Sequence, residues 1–594
     1  CWFTRCNASG IDYDYHLRVF PDGESAYNAG FRWAGTYACW RDCGWSTIYW
    51  TELLYNPHGD PQEWGLFPKD EYTDFVIWQD SEETETSTGG LGSGASDSSP
   101  ASGLGNTVYN ISCMDSSVNL KSGNLYHTLK VGPLTFSYNS FGVTDGQLGI
   151  GWSHDYNLSL FVRSDGSLSF KAGDGNRITF NADSDGVYRP DAISGDASWI
   201  VQNTDGSYTR SVRGGTTWSF DASGKLTAVT DNNGNVATLS YDSHGNLAGI
   251  TDAAGRTLTF EATDPDSSSK IASITDLLGN KYSIAYLGAL DLISSITDPL
   301  GGVWQYEYDA YYRMVKKTDP AGNVVFYTYD SNGRLTSSTN PYGLVKSIAY
   351  DADNATTTVT DRDGGVWVHK YDSALNVPLE ITDPLGNRIT YTYDADRHLL
   401  SRAYPDGSAE SFTYDERGNT TSRIDGLGDV TLFDYNEHDR VTSITDARGG
   451  QTLFTYDANG NLSTQTDPTG ATTQVGHDAR GNITSVTDAL GHATLYGYDS
   501  YDNVVSITGP DGSAASFTHD ILGNVLTATD GLGNTSTYGY DAVGNLTSAT
   551  DPLGNLRRFT YDANDNLATA TDALGYVTSY EYNFRGEPTK KTDA

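Results

Sequence analysis

Thr550-Asp551-Pro552-Leu553-Gly554-Asn555, followed by Leu556-Arg557-Arg558-Phe559-Thr560-Tyr561-Asp562-Ala563-Asn564-Asp565-Asn566, carries the pattern that fills most of this chain. The Asp551 carboxylate can cap a turn, Pro552 pre-sets φ, and Gly554 supplies a positive φ. Leu556 to Tyr561 then alternates large side chains with smaller or polar ones, the period of a strand with two unlike faces. A second turn opens at Tyr561-Asp562 and ends near Asp565, a residue type that tolerates the left-handed region. One period therefore reads strand, turn, strand, turn.

Working outward, the place of the Asp in the Thr-Asp step recurs at 18 stations from Asp231 to Asp593, held by Asp at 15 and by Asn340, Tyr404 and Gly509 at the rest, and 14 of the 17 intervals are 21 residues. Three residues after every complete station stands a glycine, among them Gly301, Gly322, Gly386, Gly470, Gly533 and Gly554. Repetition inside one chain reports a local geometric demand, here a hairpin turn with a left-handed glycine. Ten residues after most stations comes an aromatic-Asp pair, led by Tyr308, Tyr329, Tyr350, Tyr371, Tyr393, Tyr414, Tyr456, Tyr498, Tyr540 and Tyr561. His477 and His519 take the tyrosine place twice and are expected to be packing residues. Where the second turn lacks glycine, Asn354, Asp439, Asp502 and Asp565 are expected to stand in.

Turns this short make consecutive strands antiparallel neighbours. Asp231 to Asp593 thus predicts about 34 strands, a ribbon ~160 Å wide at the usual strand spacing. Twist forbids a flat sheet of that width, so the ribbon must curl, with its aromatics tying neighbouring repeats on one face. The expected fold class is all-β, a long spiralling antiparallel sheet.

Composition agrees: 40 Tyr and 64 Gly stand beside 2 Met, in a chain of 594 residues. The formal net charge of −39 and the lack of a basic stripe argue against nucleic-acid binding. The apolar stretches are too short to form a transmembrane helix. The sequence opens at Cys1 without an initiator Met and stops within a repeat, which reads as a fragment of a longer frame rather than a mature lipoprotein.

The Tyr-Asp-x-x-Gly-Asn pattern at 21-residue spacing resembles the YD repeat of Rhs proteins, toxin-complex shell subunits and teneurins. Val118 to Asn124, Gly132 to Ser140 and Leu148 to Tyr156 resemble the module that opens the Rhs shell. The resemblance covers roughly residues 108–594 and implies a hollow β-cocoon that encloses a C-terminal toxic domain or is displayed for adhesion. The family's C-terminal core signature, its self-cleavage carboxylates and a variable toxin domain are not in these residues. The chain is therefore expected to be the N-terminal wall of a container whose partner is its own missing C-terminal effector. The implied localisation is secreted or cell surface.

Four regions are expected. Residues 1–80 form a small Cys/Trp-rich β domain and 81–107 a flexible Ser/Gly-rich linker. Residues 108–224 form the shell-opening β module, and 225–594 the repeats, truncated at the C-terminus. Cys1, Cys6, Cys39 and Cys43 suit two disulfides in an exported domain, with a four-cysteine zinc site as the rival reading. The seven Trp of this region read as core, with a sugar- or receptor-binding platform as the alternative.

No catalytic constellation stands out, and no cofactor is implied. Gly151-Trp152-Ser153-His154-Asp155 sets Ser, His and Asp side by side, but consecutive strand residues point to opposite faces. Asp183-Ser184-Asp185-Gly186 and Asp231-Asn232-Asn233-Gly234 resemble calcium loops without the distal Glu, so their Asp residues read as turn caps. The leading functional expectation is a non-enzymatic, exported shell for an effector used between cells. The alternative is a surface adhesion or carbohydrate-binding repeat protein.

Overall fold

The computed structural model describes residues 6–8, 11–13, 110–112, 116–142, 145–190, 196–267, 269–288 and 291–593. The chain divides into two compact units, Cys1–Glu85 and Thr86–Ala594. In the first, strands Cys6–Ala8 and Ile11–Tyr13 pair antiparallel, with Cys6 opposite Tyr13. Cys1, Cys39, Cys43, the Cys6 side chain, the Trp cluster and the 81–107 linker lie outside the described residues.

The second unit is built on one sheet of 42 strands, from Ser159–Val162 to Pro588–Thr592, each bonded to the next in sequence. The pairings are antiparallel throughout, as at Ser295 to Thr297 against Val303 to Gln305. The stretch from Val236–Tyr241 onward supplies 34 of the strands, the number the repeat predicts. The sheet starts before the first station, because Gly166, Gly206 and Gly224 already hold the positive φ that its hairpins need.

Every regular repeat carries one β-bulge. Glu307 faces Lys316 and Tyr308 faces Met314, so Val315 is the extra residue. The same shift recurs at Thr328/Tyr329, Thr413/Tyr414 and Thr560/Tyr561. Bulges bend the strand and raise local twist, so one per repeat curls the ribbon steadily. The turn after Tyr350 departs from this pattern. Its strands pair without a bulge as far as Asp351 opposite Thr356, and the left-handed residue is Ala355, not Asn354 as expected. Asp439, Asp502 and Asp565 do hold positive φ.

The curl closes on itself. Asn232 Nδ2 donates to Asn459 O (2.8 Å) and Asn235 Nδ2 to Arg480 O (2.8 Å). Asn564 Nδ2 donates to Asp319 Oδ2 (2.8 Å), and the rings of Tyr342 and Phe584 meet edge-on at 5.0 Å. In each case a station turn of the first pass meets a Tyr-Asp-type turn of the second, about eleven repeats later. The passes join through turns and side chains, whereas within a pass the strands join through the backbone ladder.

A five-stranded sheet that includes Leu125–Val131, Leu134–Asn139 and Trp152–His154 packs on one face of the first pass, the inner face. Phe136, Tyr138 and Trp152 share one apolar cluster with Leu239, Phe260, Ile284, Tyr306, Tyr327 and Ile348 of the ribbon. The ribbon residues occupy equivalent positions in successive repeats, which is how a period-two pattern builds a continuous wall. Complete burial of side chains this size contributes roughly 1.5–3 kcal/mol each.

Candidate functional site

The functional element of a wall is its surface and what keeps it closed, beginning with the turns. Gly301 N donates to Asp298 O (3.1 Å) and Asp298 N to Gly302 O (2.9 Å). Asp298 Oδ1 accepts from the backbone nitrogens of Leu300 (2.8 Å) and Gly302 (2.9 Å). At Asp383 the clasp is fuller, since Oδ2 also accepts from Asn387 Nδ2 (2.8 Å). Gly301, Gly322, Gly386, Gly470, Gly533 and Gly554 have φ between 84° and 90°, which L side chains rarely adopt.

The tyrosines have a job that the spacing alone does not disclose. Tyr308 OH donates to Ile293 O (2.8 Å), Tyr329 OH to Met314 O (2.7 Å) and Tyr350 OH to Leu335 O (2.7 Å). Tyr414, Tyr456, Tyr498 and Tyr561 each repeat the bond to the carbonyl fifteen residues earlier. The acceptor is the first residue after the turn of the preceding repeat, beyond the last rung that joins its strand to the tyrosine's. Each tyrosine therefore ties its own repeat to the one before it. Tyr371, Tyr393 and Tyr540 hold equivalent strand-end positions, opposite Pro378, Leu399 and Leu546. His477 and His519 hold it too, opposite Ile483 and Val525, and His519 Nδ1 is buried without a partner. Sequence reasoning misses Tyr241, Tyr286 and Tyr435, which make the same bond and stand ten residues after a station.

The five-stranded module grips this framework through groups aimed at it. Trp152 Nε1 donates to Tyr308 OH (2.8 Å), and Tyr138 OH accepts from Met314 N (2.8 Å). Burial raises the Tyr138 hydroxyl well above the ordinary range. Thr357 Oγ1 donates to Leu120 O (2.6 Å) and Leu335 N to Gly123 O (2.9 Å). A Cβ on Gly123 would overlap Arg334, so glycine there permits the close approach.

Beyond the module the inner face continues. Tyr391, Phe412, Phe433, Phe454, Tyr496 and Phe517 stand one per repeat, apart from one repeat in which Val475 holds the place, and all are half-buried. Glu410 interrupts the row with a polar knot, accepting from Arg402 (2.6 Å), Arg423 (2.5 Å) and Tyr404 (3.1 Å). Burial opposes its charge, but the two guanidinium groups hold it below the usual carboxylate range. The outer face carries paired hydroxyls instead, such as Thr455 with Thr464 and Thr518 with Thr527.

The adjacent Ser153, His154 and Asp155 do not converge. Ser153 faces Ser137 and His154 faces Phe136 on successive rungs, so their side chains alternate. Burial and the Lys171 charge depress His154 to about 3, and its ring stacks on Phe260 at 6.3 Å. The calcium-like loops are spent elsewhere. Asp183 and Asp185 pair with Arg189, and Asp231 caps its own turn through Asn233 and Asn235. Asp394, Asp396 and His398 lie close enough to share a cation. His398 Nδ1, however, closes the Asp394 clasp (2.9 Å) where Asn serves in other turns.

The RHS Repeat family model matches ten segments between residues 220 and 594, which together span more than half of the chain. A model for a domain of unknown function, DUF6531, matches residues 116–180. No curated protein matches. Among solved structures, a Tc holotoxin pore of Photorhabdus luminescens bearing a TccC3 point mutation is 13% identical. It aligns over 82% of this chain and 29% of that one, with a TM-score of 0.46. A TcdB2-TccC3-Cdc42 structure is also 13% identical, over 78% of this chain and 27% of that one, at a TM-score of 0.38. The chain thus spans less than a third of either.

Proposed function

Because this chain belongs to the RHS repeat family, we propose that its ribbon is wall material of an exported container that holds a C-terminal effector for delivery between cells. The observation that carries the reading is the inner face. Over the first pass it is sealed by the five-stranded module, and over the second it runs on as a half-buried aromatic row with the module no longer over it. Such a surface suits an enclosed polypeptide, because apolar groups favour contact with apolar chain over water. We assign the chain no catalytic role. The station carboxylates such as Asp298 and Asp383 are engaged in turn clasps, Glu410 is paired with two arginines, and burial holds His154 neutral.

The test is to obtain the complete reading frame and express its distal segment alone and attached. A segment lethal alone, yet resistant to protease when attached, supports the container. A frame that ends in a cell-wall anchor, with no toxic segment, overturns it. That outcome would leave adhesion through the Trp-rich first region, by a surface glycan or receptor, as the working function.

A further inference from the structure

At the passage from the five-stranded module into the ribbon, one buried lysine amine meets no acceptor among the described residues. Lys171 is 8% exposed, and no hydrogen bond or ion pair reaches its Nζ there. On the ladder it stands opposite Ser159 on one side and opposite Arg177 on the other. Two cations facing one another across adjacent strands repel. Asn157, two residues before Ser159, adds a second unsatisfied donor, because its Nδ2 is buried with no partner. The two nitrogens border one space. A Cβ built on Gly146 would stand 3.5 Å from Asn157 Nδ2 and 3.7 Å from Lys171 Nζ, so glycine there leaves room between them.

We propose that Lys171 is a carbamylation site, where the amine adds carbon dioxide and the carbamate is held by Asn157 Nδ2 opposite the Arg177 guanidinium. In this step the Nζ lone pair forms a bond to the carbon of CO2. One C=O π pair moves onto oxygen, and the proton leaving Nζ goes to water. No oxidant or reductant is consumed. Burial first, then the Arg177 charge, bring the Lys171 ammonium down to about 8 against an opposing pull from Asp174, so a share of the amine is neutral at ordinary pH. Only the neutral amine is nucleophilic. The carbamate sets an anion where a cation faced Arg177, and it gives the buried Asn157 donor a charged acceptor. CO2 enters uncharged, without the desolvation that a preformed anion such as phosphate must undergo. The inference does not depend on what the wall encloses.

The experiment equilibrates the full chain with isotopically labelled bicarbonate near pH 8, the value to which the Lys171 amine is brought. Triethyloxonium then converts any carbamate into a stable ethyl carbamate, and peptide mass spectrometry locates the label. The expected result is label at Lys171 and none at Lys281 or Lys590, exposed amines that pair with Glu261 and Glu581. Asn157 Nδ2 has no bond to lose in the unmodified protein, so Asn157→Leu removes only the holding donor. Labelling of Lys171 in that variant should fall about ten-fold, as the loss of one hydrogen bond to a charged group predicts. Absence of label from Lys171 would overturn the proposal. Equal label at Lys171 and the exposed lysines would also overturn it, as would full labelling in an Asn157→Leu chain that melts like its parent. If label is absent while phosphate raises the melting midpoint of the parent but not of Lys171→Met, the space belongs to a free anion instead.

Discussion

Removing a single hydroxyl tests the tyrosine clasp. Tyr329→Phe keeps the ring, and with it the stacking of Arg313 at 4.7 Å, but deletes the 2.7 Å bond to Met314 O. That carbonyl lies beyond the last rung between its strand and the tyrosine's, Lys316 opposite Phe326, so no ladder donor stands ready to replace the hydroxyl. Burial holds the Tyr329 hydroxyl well above its ordinary pKa. A buried acceptor left without a donor costs about 1–3 kcal/mol, so we expect a loss of about 2 kcal/mol. Tyr498→Phe removes an equivalent 2.7 Å bond at an exposed site, where water can substitute, and should cost less than about 1 kcal/mol. Native-state hydrogen exchange resolves the two, because repeat arrays open locally and report each repeat separately. The amides of Lys316 to Thr318 should exchange about 30-fold faster in the first variant, the equivalent of ~2 kcal/mol. Equal costs at the two sites, or a negligible cost at Tyr329, would refute the argument that the hydroxyl satisfies a carbonyl left beyond the last rung of the ladder.

Three further outcomes are expected. Gly533→Val should lower stability by about 1–2 kcal/mol through backbone strain alone, because φ is +87° and a Cβ there meets nothing, while Gly533→Asn should recover most of it; thermal melts decide. His519→Tyr should supply the missing clasp and slow exchange around Val504 to Ser506 several-fold, a gain of about 1 kcal/mol. For acid, burial opposes ionisation of Asp415, but bonds from Asn419 and the backbone outweigh it and bring the carboxyl down to about 2. Asp457, Asp478 and Asp499 are lowered in the same way. Depressed carboxyls contribute stability that is complete above the unfolded pKa and lost as pH falls through the folded one. The urea midpoint should therefore hold down to about pH 4 and fall steeply toward pH 2; a flat profile would contradict this.

Much of the wall is legible in the sequence because its turns are chemical necessities. Asp298 and Gly301 can be read from composition and spacing alone, since a capped turn with a left-handed residue admits few alternatives. The tyrosine bond is not legible in the same way. Ten-residue spacing places Tyr329 at a strand end, but only the register, whose last rung sets Lys316 opposite Phe326, determines which carbonyl is left open. The next-residue Asp is a poor guide for the same reason. Tyr286 and Tyr435 make the bond with Leu287 and Asn436 after them, because the ring position matters and not the turn that follows. Ala355 in place of Asn354 shows a one-residue change of turn length overriding side-chain preference. The seam lay beyond sequence reading altogether, because nothing local links Asp319 to Asn564.

That seam makes the wall mechanically directional. Along the ribbon every strand is held by backbone hydrogen bonds, while between passes the hold is a sparse set of side-chain contacts such as Asn232 to Asn459 and Tyr342 to Phe584. Load applied across the passes meets the weaker bonds first. The structure then parts the way a coil spring is drawn out, pass from pass, with each strand keeping its neighbours, and it can close again without refolding.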